Sequence, residues 1–409
     1  MILSTLGSLA PAQRNVVLAS YLGWSLDAFD FFVLIFVLPD IAKEFSADVT
    51  SVTVAITLTL AARPLGALGF GLAADRFGRK PVLMLNILCF SAFGAASAFA
   101  PGLGALFVIR TLFGVAMGGE WGIGASLAME SIPPTARGAV SGILQTGYPS
   151  GYFLASLAYF LFYPWIGWRG MFLLGAMPAL LVLFIRAKVS ESPSFTAPIS
   201  QSDTGHLLQI LRENFGRFTY AVMLMTGFNF LSHGTQDLYP AFLQLQHHLS
   251  SQAVAATAII YNLGAIIGGL SFGPLSERIG RRNAIMAASM SALLLVPVWA
   301  FATSPFVLTA SAFLMQVAVG GAWGVVPAHL NELSPAKVRG TFPGFAYQTG
   351  NLLASANATI QAYVARANSD NYALGLALVT SITAAALIGL AWLGSEAKGV
   401  KFSGGQDQR

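Results

Sequence analysis

Charge is scarce in this chain. Only 10% of its 409 residues are Asp, Glu, Lys or Arg, while 55% are hydrophobic and the mean hydropathy is +0.68. A soluble domain carries about 25% charged residues, so this chain could not cover a globular surface with polar groups. Cysteine is nearly absent as well. Cys89 stands alone, which excludes an internal disulfide and a cysteine-based metal cluster. No metal-ligand spacing, phosphate-binding glycine loop or nucleophile constellation stands out, so neither a cofactor nor an enzyme activity is expected. The opening stretch MILSTLGSLAPAQRN lacks the basic, apolar and small-residue succession of a cleavable signal. The first span, beginning near Val16, is therefore expected to stay as a membrane helix.

What is present is apolar length. A membrane-spanning helix needs roughly 20 mostly apolar residues, so twelve spans would use about 240, close to the hydrophobic complement of the chain. Twelve apolar runs lie between polar or Pro/Gly breaks, at 16–38, 50–73, 81–100, 103–129, 138–162, 168–187, 218–245, 252–275, 283–302, 305–330, 341–364 and 372–394. Their continuity excludes a transmembrane β-barrel, whose strands alternate over about ten residues. The longest polar interval splits the runs into two sets of six. The expected fold is thus all-α integral membrane, twelve transmembrane helices in two six-helix bundles: 1–189, a linker with a short surface helix at 190–216, and 217–409.

Basic residues orient the chain. With the N-terminus in the cytoplasm, seventeen of the 22 Lys and Arg fall on cytoplasmic segments and three, Lys43, Arg169 and Arg366, on the other side. Arg63 and Arg110 lie within spans. This is the positive-inside pattern. It accounts for the net charge of +5 and the pI near 9.4 without a nucleic-acid partner. A plasma membrane is expected, that of a bacterial inner membrane, with both termini cytoplasmic and the protein monomeric in the lipid bilayer.

The two halves repeat. DRFGRK at 75–80 returns as ERIGRR at 277–282, VAMGGEWG at 115–122 as VAVGGAWG at 317–324, and Glu130 with PPTARG as Glu332 with PAKVRG, each 202 residues on. Two parallel halves facing a midplane site are the layout of an alternating-access transporter. In the loops, Asp75, Arg76, Arg79 and Lys80, echoed by Glu277, Arg278, Arg281 and Arg282, can form a charged latch that holds one conformation and breaks in the other. Glu130 with Arg137 and Glu332 with Arg339 would extend it. The plainer alternative is topological anchoring by positive charge.

Charges inside spans carry the functional signal, since each costs about 2.5–3.5 kcal/mol on insertion scales. They are Asp27 and Asp30 on the first span, Arg63 on the second, Arg110 and Glu120 on the fourth, and Asp237 on the seventh. Confined carboxylates repel one another, so at least one is expected to exchange a proton, with His233 as a further proton carrier. Arg63 cannot shed its proton, and its planar fork grips a carboxylate at two points. It is either the receptor for an organic anion or a structural partner of Asp27 or Asp30.

The seventh span carries Asn229, Ser232, His233, Gln236 and Asp237 at spacings that share one helix face. A polar stripe in a membrane helix should face a cavity or a hydrogen-bonded seam between helices. Pro240 follows and can kink the helix. On the fifth and eleventh spans, Gln145 with Tyr148 and Gln348 with Tyr347 could line opposite cavity walls. His329, His247 and His248 are expected at membrane interfaces.

The loop motif GLAADRFGRKP with its echo, together with Arg110, Gly114 and Gly118, resembles the major facilitator superfamily over essentially the whole chain. Within it, NFLSHGTQD resembles the N-x-x-S/T-H-x-S/T-Q-D-x-x-x-T signature of the sialate and lactate proton symporters, which include fungal lactate permeases. Asn229, Ser232, His233, Thr235, Gln236 and Asp237 match, and Ala241 replaces the final threonine. YQTGN with Gln348 and Asn351, and the arginine of ARPLGA, Arg63, match further family positions. The resemblance implies proton-coupled symport of a small monocarboxylate such as lactate or pyruvate. Sialic acid is an alternative, and a proton-driven drug exporter a more remote one.

Overall fold

The computed structural model describes residues 2–196 and 212–402, so the middle of the expected linker, with its surface helix, lies outside the described residues. The described elements are helical. The first half comprises α1 (Ile2–Ser8), α2 (Pro11–Glu44), α3 (Val49–Phe77), α4 (Arg79–Ala96), α5 (Leu103–Ser131), α6 (Arg137–Gln145), α7 (Gly147–Leu174), α8 (Ala179–Lys188) and the single turn α9 (Pro193–Thr196). The second comprises α10 (Phe215–Gln236), α11 (Tyr239–Leu245), α12 (Ser251–Ile279), α13 (Arg281–Phe301), α14 (Pro305–Trp323), α15 (Val326–Leu333), α16 (Phe342–Ala354), α17 (Asn357–Ala367) and α18 (Tyr372–Leu393).

Helix occupies most of each of the twelve apolar runs. Eight segments are long and apolar enough to cross a membrane singly: α2, α3, α4, α5, α12, α13, α14 with α15, and α18. The fifth and sixth runs form one continuous path, 134–174 with 179–188, bent by 43° and broken inside α7 at Gly167. The seventh and eleventh runs are interrupted midway, between α10 and α11 and between α16 and α17. Pro240 does not kink a continuous helix, as expected, but sits in the first turn of α11, where its missing N–H costs nothing.

The repeat in sequence is a repeat in structure. Gly78 and Gly280 turn the chain between α3 and α4 and between α12 and α13 with φ of 101° and 94°, a region open to glycine and strained for other residues. Packing follows the same register: α3 lies along α5 as α12 lies along α14. A Cβ on Gly118 would come within 2.0 Å of the Arg63 carbonyl, and one on Gly320 within 2.3 Å of the Ala265 carbonyl. The pseudo-symmetry therefore equates Arg63 with Ala265, so the charge belongs to one half only.

The halves meet through α3, α5, α6, α12, α15 and α16, at the ends that carry the basic loops. Gly122 packs on Gly344, and Gly138 on Gly273, so closely that no side chain fits between the backbones. By contrast, α11 and α17, at the opposite end, pack against helices of their own half. The space between the bundles is thus closed on the basic face.

Candidate functional site

Above this closure lies a cavity of about 400 Å³. Arg63, Gln145 and Tyr148 line it from the first half, and Asn229, Ser232, His233, Gln236, Asp237, Tyr347 and Asn351 from the second. The stripe on α10 does face a cavity. Asp237 sits just past the end of α10, in the break before α11.

Arg63 is nearly buried, 3% exposed, and forms no ion pair within 4 Å among the described residues. Its Nη2 lies 2.9 Å from Met117 Sδ, its guanidinium 5.6 Å from the Phe31 ring centroid, and its Nε has no hydrogen-bond partner. The alternative of a direct ion pair with Asp27 or Asp30 is therefore not what the geometry shows, although Asp27 stays within electrostatic reach. A buried guanidinium with unused donors in a cavity wall is equipped to take a carboxylate.

Facing it are two polar networks. His233 Nδ1 is 3.2 Å from Asp237 Oδ1, and its Nε2 is 3.2 Å from Asn351 Oδ1, linking α10 to α16. Gln236 Nε2 donates to Gln316 Oε1 at 3.0 Å, and Gln316 Nε2 donates to Thr235 Oγ1 at 2.9 Å, linking α10 to α14. Asn229 Nδ2 donates to the Met225 carbonyl at 2.8 Å, leaving its own oxygen for the cavity. On the first half, Gln145 Oε1 accepts from Trp121 Nε1 at 2.8 Å.

Several expected site residues lie elsewhere. Gln348 is not on the wall. It is buried behind Tyr347 and Asn351, which leave α16 at other angles, and its amide has no hydrogen-bond partner. Asp27, Asp30, Arg110 and Glu120 are buried inside the first bundle, off the cavity. Asp27 and Asp30 are within electrostatic reach of Arg110, whose guanidinium stands 3.8 Å from the Phe113 ring centroid. His329 is not interfacial but 1% exposed, because α15 is sandwiched between α5, α6 and α16. Wall residues not singled out from the sequence include Gln316, Asn262 and Tyr261. A lone glutamine in the apolar run FLMQVAV was the available signal for the first.

The expected latch is assembled beneath the cavity and crosses between the halves. Asp75 accepts from Gly340 N (2.7 Å), Thr341 N (2.9 Å) and Thr341 Oγ1 (2.7 Å), and pairs with Arg79 (3.1 Å). Arg79 also meets Glu130 (3.3 Å), which receives Arg339 of the other half at 3.9 Å. The echo runs the opposite way. Glu277 accepts from Gly138 N (2.5 Å) and pairs with Arg281 (2.8 Å). Arg281 holds Glu332 (2.9 Å), and Glu332 receives Arg137 (3.5 Å). Arg76 and Arg278 are exposed, and Lys80 donates to the Arg186 carbonyl in its own half.

Two segments outside the expected motif complete the latch. Glu191 accepts from the N–H groups of Arg79 and Lys80, and Ser192 donates to Glu130. The tail after α18 returns beneath both bundles. The Phe402 ring lies 3.5 Å from the Arg137 guanidinium and 4.0 Å from that of Arg339, and the Val400 carbonyl accepts from Arg137 at 2.6 Å.

The sequence pattern of the Major Facilitator Superfamily matches residues 21–356 and 222–408. A probable 4-methylmuconolactone transporter of Cupriavidus pinatubonensis is 32% identical over 83% of this chain and 81% of its own length. A carboxylic acid transporter protein homolog of Saccharomyces cerevisiae is 28% identical over 88% of this chain, and this chain spans 62% of its length. The proton:xylose symporter XylE bound to 6-bromo-6-deoxy-D-glucose superposes with a TM-score of 0.77 at 18% identity, over 95% of this chain and 97% of that one. With two six-helix halves closed on one face around a polar cavity, the chain belongs to the Major Facilitator Superfamily and is a multi-pass membrane transporter of small organic metabolites, not an enzyme.

Proposed function

We propose that the protein is a proton-coupled symporter of a small monocarboxylate, working by alternating access. Lactate and pyruvate are the substrates that the sequence resemblance implies. One observation carries the reading: the cavity holds an arginine without an ion-pair partner among the described residues, Arg63, opposite an acid–imidazole pair, Asp237 and His233.

Charge balance supplies the coupling. On this reading Arg63 carries one positive charge and the Asp237–His233 pair, before it takes the transported proton, one negative charge, so that the two cancel. Substrate alone would make the cavity negative, and a proton alone would make it positive. Either net charge is costly when the cavity closes in low dielectric. Substrate and proton together restore neutrality, so the loaded and empty carriers move and the half-loaded ones do not. Asn351 orients the imidazole through Nε2, so that the transported proton is shared between Nδ1 and Asp237. Asn229 and Asn351 offer hydrogen bonds to a hydroxyl or oxo group. Asp27, Asp30 and Glu120 are a reserve of buried carboxyls for a relay behind the wall.

The decisive assay is uptake into proteoliposomes with the pH gradient imposed and then collapsed by a protonophore. Accumulation should require an acidic exterior, and uptake indifferent to the gradient would remove symport. Sialic acid or another organic anion is the second reading and is separated by substrate competition in the same assay. A drug exporter for apolar cations is disfavoured by the positive charge in the wall.

A further inference from the structure

We propose that Asn351 couples proton to substrate: its side-chain amide turns over when the His233–Asp237 pair takes a proton, and the group it offers the cavity changes from an acceptor to a donor. This deepens the symport reading and rests on it. The imidazole stands between two unlike partners. Asp237 Oδ1, 3.2 Å from Nδ1, belongs to a carboxyl group, whereas the Asn351 amide, 3.2 Å from Nε2, can donate from one end and accept at the other.

The proton count of the pair dictates what Nε2 does. Without the transported proton, the Asp237 carboxylate can only accept, so Nδ1 carries the single ring hydrogen and Nε2 is bare. With the proton on the ring, both nitrogens donate. With the proton on Asp237, the acid donates to Nδ1 and the ring hydrogen moves to Nε2. Either way Nε2 becomes a donor once the pair is loaded. It therefore needs a donor facing it before loading and an acceptor afterwards. In the structure Asn351 Oδ1 faces it, which is the arrangement of the loaded pair.

The amide can answer that change where the helices cannot. α16 lies flush against α10 at the neighbouring Gly350, where a Cβ would come within 2.7 Å of the Met225 carbonyl carbon and the Thr226 nitrogen. The terminal torsion of asparagine is broad and roughly two-fold, so a half-turn exchanges Oδ1 and Nδ2 without moving the backbone. Asn351 also lines the cavity. After loading, its Nδ2 end offers an anion a hydrogen bond. Before loading, its carbonyl oxygen faces the anion and repels it. Arg63 stands on the facing wall within electrostatic reach of the ring, so an acid held by Arg63 is placed to meet the free end of Asn351. The other ionisable groups in reach of the pair are the phenols Tyr148 on α7 and Tyr261 on α12. Phenols and guanidinium groups titrate above the imidazole range, so the pair alone sets the amide.

The test is calorimetric titration of the purified full-length protein with lactate at about pH 5.5 and about pH 8, on either side of the ordinary imidazole range. Two buffers of different ionisation enthalpy report the protons taken up on binding. Wild type should bind more tightly at the acid pH and take up protons with lactate. Asn351→Leu, which has no amide to turn, should lose about tenfold or more in affinity at the acid pH, the worth of a hydrogen bond to a charged group, and lose nothing at the alkaline one. Asn351→Ala asks the same question should leucine unsettle α16. A merely structural role would weaken binding equally at both pH values, and that result overturns the switch, as does an unchanged acid-side affinity. If wild type itself binds lactate without proton uptake at either pH, the symport reading fails first and takes the switch with it.

Discussion

Replacing Asp75 with asparagine should open the gate on the basic face. The carboxylate takes three hydrogen bonds from the opposite half, at 2.7–2.9 Å, and its side chain is only 7% exposed. Hydrogen bonds to a charged acceptor contribute about 1.5–3 kcal/mol each. Asparagine keeps one acceptor oxygen and turns its NH2 toward the Gly340 and Thr341 donors, so roughly 2–4 kcal/mol of bias toward the closed gate is lost. At about 1.4 kcal/mol per tenfold change, that shifts the conformational equilibrium by roughly 30- to 1000-fold. Spin labels at the exposed positions Arg76 and Lys337, one in each half, in a background lacking Cys89, report the gate distance directly. The distribution should move to longer distances. Turnover should fall while substrate affinity changes little, because Asp75 lies below the cavity. An unchanged distance distribution together with lost affinity would refute the latch reasoning.

The remaining predictions probe the cavity and the tail. Asp237→Asn removes the carboxylate proposed to carry the proton, so accumulation driven by a pH gradient should vanish while exchange of substrate for substrate persists. Full accumulation in this variant and in His233→Ala would move the proton to the buried Asp30. Arg63→Lys keeps the charge but loses the two-pronged grip, a loss of about 1.5–3 kcal/mol or ten- to hundredfold in affinity. Near-normal affinity with a lowered melting temperature would instead make Arg63 a structural residue. Phe402→Ala removes the ring beneath both Arg137 and Arg339. At about 0.5–2 kcal/mol for such contacts, the gate equilibrium should shift by a few- to thirtyfold, and an unmoved Arg76–Lys337 distance would show that the tail contributes nothing to closure.

Much of this was legible in the residues themselves. Apolar length specified twelve helices, because in a bilayer backbone groups must be satisfied within the helix. The 202-residue repeat specified two parallel halves, and the periodicity of the α10 stripe put Asn229, His233 and Asp237 on one face. These are local properties of a chain in a known solvent. Tertiary structure decided what each side chain meets. Gln348 and Asn351 are three residues apart on α16, yet one is buried without a hydrogen bond and the other lines the cavity. Asp27 and Asp30 share a bilayer with Arg63, but among the described residues neither is brought into an ion pair with it. Phe402, separated by 265 residues from Arg137, is held against it only because the tail folds back across the gate. Such pairings depend on helix rotation and on the approach of distant segments. Composition and spacing carry neither, because they record what a residue is and not which way its neighbours turn it.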